Sequence, residues 1–168
     1  GHSYKEARLI HVMVQEAQQP QLMITDGGES RFIEATLFFD GSAQPNPGAG
    51  GAGVHLVDDR GHSLYRGGFA VPCLSNNGDV TNNQAEYAAL EHGLQIAIDE
   101  GIKRLRVKGD SELVINQMKG EYRCNSARLV PYYNAIHRLE RDFHSVEYVH
   151  IPRSKNGVAD GLAEENCK

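Results

Sequence analysis

Apolar and polar positions change rhythm twice along this chain. Residues 36–40 (TLFFD) form a short apolar run that ends on an acid, residues 51–57 alternate loosely, and the turn Asp58-Asp59-Arg60-Gly61 leads into a third run at 63–71. This pattern predicts three consecutive strands joined by turns. The spacing then becomes helical. Thr81-Asn82-Asn83-Gln84 fits a capping box; Ala85, Ala89, His92 and Ile96, with Leu90, Leu94 and Ile98, recur at helical intervals until Gly101, a suitable stop. Beyond it, residues 105–110 read as a strand and 111–119 as a helix closed by Gly120. Residues 127–143 read as a helix whose early turns Pro131 should disturb, and 146–151 as a strand. Asn156 stands where it would cap a last short helix through Ala163.

The order β-β-β-α-β-α-α-β-α predicts an α/β fold with a mixed sheet, three antiparallel strands and then two parallel ones, and helices on both faces. In such sheets ligands collect at the carboxyl ends of the strands. Residues 4–35 lack this regularity: two short apolar runs, LIHVMV and QLMI, flank the polar QEAQQPQ and precede the turn-rich TDGGES. They read as an added hairpin or a linker, and Gly1-His2-Ser3 as the remnant of a tag or of a longer protein. The expected division is therefore an extension over 1–35 and one domain over 36–168.

Composition adds limits. A chain of 168 residues, 40% hydrophobic, can bury a core for one domain. No apolar run approaches the roughly 20 residues needed to span a bilayer, so no membrane association is expected. Cys73, Cys124 and Cys167 are widely spaced with no CxxC pair, which excludes a disulfide framework or zinc knuckle and suits an intracellular, reducing setting. The net charge of −5 disfavours a nucleic-acid partner at first sight. Its distribution qualifies that, because nine basic and five acidic side chains lie within residues 101–142, so a basic face can coexist with an acidic remainder.

Four acids carry the candidate chemistry. Asp40 ends LFFD, Asp110 ends LRVKGD just before a helix, Glu86 lies in the first turns of the capped helix, and Asp160 near the start of the last one. Converging carboxylates repel and raise one another's pKa unless cations neutralise them, and hard oxygen ligands suit Mg²⁺ or Mn²⁺.

The segments FFDGSAQPNPGAGGAGV, TNNQAEYAAL, VKGDSELVINQMKGEY and HIPRSKNGVADGLA, in that order, resemble the motifs of type 1 ribonuclease H over nearly four fifths of the chain. The resemblance implies a five-stranded ribonuclease H fold and Mg²⁺-dependent endonucleolytic cleavage of the RNA strand of RNA–DNA hybrids. Two ions, for which Mn²⁺ can substitute, would be held by Asp40, Glu86, Asp110 and Asp160, and the products would carry 5′-phosphate and 3′-hydroxyl ends. His150 matches a histidine that assists turnover in many members, and Arg153 the basic residue found instead in compact archaeal-like and plant-like branches. Backbone groups around Gly41, Ser42 and Gln44, with Glu86 and Ser111, would read the 2′-hydroxyl. Asn46, Asn82 and Asn83 would touch the minor groove, Thr81 a DNA phosphate, and Asn156 is either a substrate contact or only a helix cap.

Two departures from the family pattern stand out. Asp79 replaces an arginine that some relatives carry beside the DNA-phosphate pocket, and Lys119-Gly120-Glu121-Tyr122-Arg123 replaces a longer basic protrusion, as in the archaeal-like branch. Alternatives to a monomeric, stand-alone enzyme are a ribonuclease H domain of a retroelement reverse transcriptase polyprotein and a non-catalytic hybrid-binding domain. A different polynucleotidyl transferase on the same fold, such as an integrase or resolvase, is a further alternative, against which TNNQAE and the AD-x-LA segment speak.

Overall fold

A computed structural model describes residues 33–73 and 79–168. The readings of residues 1–32 fall outside that range. Five strands form one sheet in the order β3-β2-β1-β4-β5: β1 (Glu34–Gln44), β2 (Ala49–Asp58), β3 (Ser63–Val71), β4 (Arg104–Gly109) and β5 (Ser145–His150). β1 pairs antiparallel with β2 and β2 with β3, while β4 and β5 are parallel to β1, as the element order predicts. The helices are α1 (Asn82–Asp99), α2 (Glu112–Met118), α3 (Val130–Glu140) and α4 (Gly157–Glu165), the last preceded by a 3-10 turn at Arg153–Lys155.

Alternation along the strands decides what covers each face. Leu37 and Phe39 on β1, and Val54 and Leu56 on β2, are fully buried on the face that α1 packs against through Leu90 and Leu94. On the opposite face, a Cβ at Gly51 or Gly53 would run into the backbone of Ala163 or Ala159, so these glycines let α4 lie directly on the sheet. α1 starts on the expected capping box: Thr81 Oγ1 accepts from Gln84 N at 3.1 Å, and Gln84 Oε1 accepts from Thr81 N at 2.9 Å. α1 and α2 give way to Gly101 and Gly120, both at positive φ.

Three expectations need correction. β1 does not end at Asp40 but continues to Gln44, because residues 40–44 keep their pairing with Gly53 through Ala49 of β2. α3 spans Val130–Glu140, shorter than residues 127–143. Pro131 does not disturb it; the proline sits in the first turn, where its missing N–H has no helical acceptor to lose, and so starts the helix. Asn156 does occupy the N-cap of α4, but its side chain makes no capping bond. Among the described residues, no helix is long and apolar enough to cross a membrane.

Candidate active site

The pairing of β1 with β4 stops at Phe38↔Lys108, so from Phe39 onward β1 overhangs its parallel neighbour. Asp40 is the second residue of that overhang, and Asp110 is the first residue past the end of β4. The two acids therefore stand at the carboxyl side of adjacent parallel strands. Glu86 comes to the same place from α1. The approach depends on Gly41, where a Cβ would collide with the backbone of Ala85 and Glu86.

One carboxylate oxygen from each of Asp40, Glu86 and Asp110 lies within 4.8 Å of the others. Asp40 is 4% exposed and Glu86 7%. Burial pushes the Asp40 carboxyl up to about 7; a hydrogen bond with Glu86 opposes the shift, while Asp160 and Asp110 add to it. Burial also raises Glu86 well above the carboxylate range, with Asp40 reinforcing it and the Gly41 amide opposing it. Without a cation this pair retains protons near neutrality. Glu86 Oε2 is buried and has no hydrogen-bond partner. Three clustered carboxylates, one of them carrying an orphaned oxygen, fit a hard divalent cation.

Asp160 comes from α4 and is near enough to Asp40 to push its carboxyl pKa upward, but it stays outside the three-acid group. Its Oδ1 accepts from Arg153 Nη2 at 3.2 Å, and the same nitrogen donates to Glu164 Oε1 at 3.3 Å. The sequence motifs do not point to Glu164, whose only signal is its place one helical turn after Asp160. His150 is exposed at the end of β5, its Nε2 3.2 Å from the Asp110 carbonyl oxygen. His150 thus borders Asp110 and Arg153 borders Asp160.

The remaining candidates divide by what their side chains already do. Asn82 Oδ1 accepts from Ala43 N at 2.7 Å, and Asn46 Oδ1 accepts from Asn82 N at 3.0 Å, tying the end of β1 and the loop after it to the start of α1. Asn46, Asn82 and Asn83 are exposed, Ser42 half-buried, and Thr81 engaged in the capping box. Ser111 caps α2 by accepting from Val114 N at 3.2 Å. Asn156 does not face the site's open side. It is 1% exposed, and its Nδ2 donates to the carbonyl oxygen of Phe39 at 2.9 Å, which corrects its placing as a substrate contact.

Residues 38–166 match the reverse transcriptase-like family. Ribonuclease HI of Halobacterium salinarum is 36% identical over 153 residues, covering 85% of this chain and 74% of that protein. The chain belongs to the ribonuclease HI family. Among its relatives, the bifunctional protein Rv2228c of Mycobacterium tuberculosis is 34% identical, over 79% of this chain but 35% of that longer protein. The solved N-terminal ribonuclease H domain of Rv2228c superposes with a TM-score of 0.74 at 30% identity, covering 80% of this chain and 99% of the domain. LC11-RNase H1, solved in complex with an RNA/DNA hybrid, gives 0.72 at 32% identity, covering 79% and 96%. The ribonuclease HI family thus accounts for the five-stranded sheet and its helices.

Proposed function

We propose that this chain hydrolyses the RNA strand of RNA–DNA hybrids endonucleolytically, leaving 5′-phosphate and 3′-hydroxyl ends, with Asp40, Glu86, Asp110 and Asp160 holding two divalent cations, Mg²⁺ by preference. The observation that carries this reading is the trio of acids with oxygens inside 4.8 Å and the orphaned Glu86 Oε2. Family membership and the hybrid-bound relative support the substrate.

Bound cations at such a site supply an activated water and stabilise the leaving oxygen of an in-line displacement. The protein's own part is orientation. Asp40 interacts with Glu86, Asp110 and Asp160 alike, so it is the acid that links all four. Arg153 keeps Asp160 fixed while its charge offsets the surplus of acids. His150, exposed beside Asp110, is the residue that would assist turnover from the solvent side. Discrimination of RNA from DNA needs groups that both donate to and accept from a 2′-hydroxyl. By the family resemblance, the backbone from Gly41 to Gln44, the Glu86 carboxylate and Ser111 would read that hydroxyl, while Asn46, Asn82 and Asn83 would touch the minor groove of the hybrid and Thr81 a DNA phosphate.

The test compares one labelled strand in RNA–DNA hybrid, double-stranded RNA and double-stranded DNA, with Mg²⁺ and with EDTA. Cutting of RNA in the hybrid alone, lost in EDTA, is the expected result. Tight hybrid binding with no cutting under any condition would replace this reading with that of a binding domain.

A further inference from the structure

In a strand the N–H and C=O of one residue face the same edge, and the edge alternates from residue to residue. Along the overhang of β1 the groups facing the β4 side belong to Phe39, Gly41 and Ala43, and each meets a side chain where a strand would have been. Asn156 Nδ2 donates to Phe39 O, Ala43 N–H donates to Asn82 Oδ1, and the Gly41 amide favours the charged form of the Glu86 carboxyl. Two of these partners belong to α1. The third, Asn156, begins α4, the helix that brings Asp160.

Asn156 is 117 positions from Phe39 in sequence and almost completely buried. The acceptor it holds belongs to the residue immediately before Asp40. Asp160 N donates to Asn156 O at 3.0 Å, so one helical turn separates this anchor from the fourth acid. The Asn156 side chain does not cap its helix, and its Oδ1 is buried without a partner. An apolar side chain would avoid that unpaired oxygen, so the amide is not explained by packing alone.

We propose that Asn156 is a positioning residue of the acidic site: by tying the start of α4 to the carbonyl preceding Asp40, it sets the separation of Asp160 from Asp40. This rests on the functional reading above insofar as the two acids hold metal. Asn156→Ala removes the tie; Asn156→Asp keeps the shape but sets an oxygen against the Phe39 carbonyl oxygen.

The experiment measures hybrid cleavage by wild type and both variants across substrate and Mg²⁺ concentrations, well below their unfolding temperatures, and Mn²⁺ binding by calorimetry without nucleic acid. The expected result is a kcat about ten- to a hundredfold lower, as for residues that orient metal ligands, with the hybrid KM within about twofold. Weaker Mn²⁺ binding should accompany it, and Asn156→Asp should be worse than Asn156→Ala. A lower Tm with unchanged kcat and Mn²⁺ affinity would overturn the proposal in favour of a purely structural role. A raised KM with kcat intact would overturn it in favour of a substrate contact. If neither variant folds, Asn156→Ser, which keeps a donor on a shorter arm, allows the same comparison. Failure of the wild type to cut hybrid would strike the functional reading alone, because the Mn²⁺ titration still decides the role of Asn156.

Discussion

Burial and neighbouring acids keep a proton on Asp40 up to about pH 7, and the consequence for stability has a definite sign. The unfolded chain releases that proton near the ordinary value of 3.8, so across the intervening window the folded state binds more protons than the unfolded one. The metal-free protein is therefore expected to be most stable at the acid end of this window and to lose that contribution as the pH rises through about 7. Thermal unfolding in EDTA, followed from about pH 4 to about pH 8, should show Tm falling; a Tm that rises steadily would contradict the shift. Asp40→Asn removes the charge without adding bulk. In EDTA at the alkaline end of the range it should unfold at a higher temperature than wild type, while hybrid cleavage in Mg²⁺ drops by more than about a thousandfold, since several kcal/mol of charge stabilisation goes with the ion. A wild-type rate in that variant would remove Asp40 from the site.

At the scale of elements, the site depends on how closely α1 approaches β1. Gly41→Ala forces a methyl group into the backbone of Ala85 and Glu86, and overpacking of this kind costs about 1–3 kcal/mol. Lower Tm and loss of cleavage are both expected; an unchanged Tm would mean that α1 yields freely. The helical periodicity, the capping box and the four acids were legible because each is written in adjacent or regularly spaced residues. The full length of β1 was not, since Gly41, Ser42, Ala43 and Gln44 favour turns locally and become strand only through pairing with β2. The start of α3 was misread because one proline can interrupt a helix or open it, and its distance from the first turn decides which. The tie between Asn156 and Phe39 left no local trace, as its partners lie in distant parts of the chain.

Over the whole molecule, the excess of Lys and Arg in residues 101–142 is partly spent on local ion pairs. Arg104 faces Glu34 and Arg106 faces Glu147, each at 3.6 Å, on largely exposed side chains. Pairs of this kind contribute little to stability and exchange readily for other anions. Hybrid affinity should accordingly fall steeply with salt, its logarithm linear in the logarithm of salt concentration with a slope proportional to the phosphates contacted. Binding measured across a salt series checks this, and a flat response would rule out a basic face as the source of affinity. The chain spans only 35% of the length of the mycobacterial bifunctional relative, where a ribonuclease H domain is joined to further protein.

The overhang of β1 has one more consequence. A strand edge without a neighbouring strand is a template on which another polypeptide can add itself, and proteins whose edges stay open tend to aggregate. Here the stretch that must remain uncovered by β4, so that acids can gather around it, has its Phe39 carbonyl and Ala43 amide taken by Asn156 and Asn82, and Gly41 covered by the start of α1. The arrangement that opens the sheet for chemistry thereby also closes it to stray peptides.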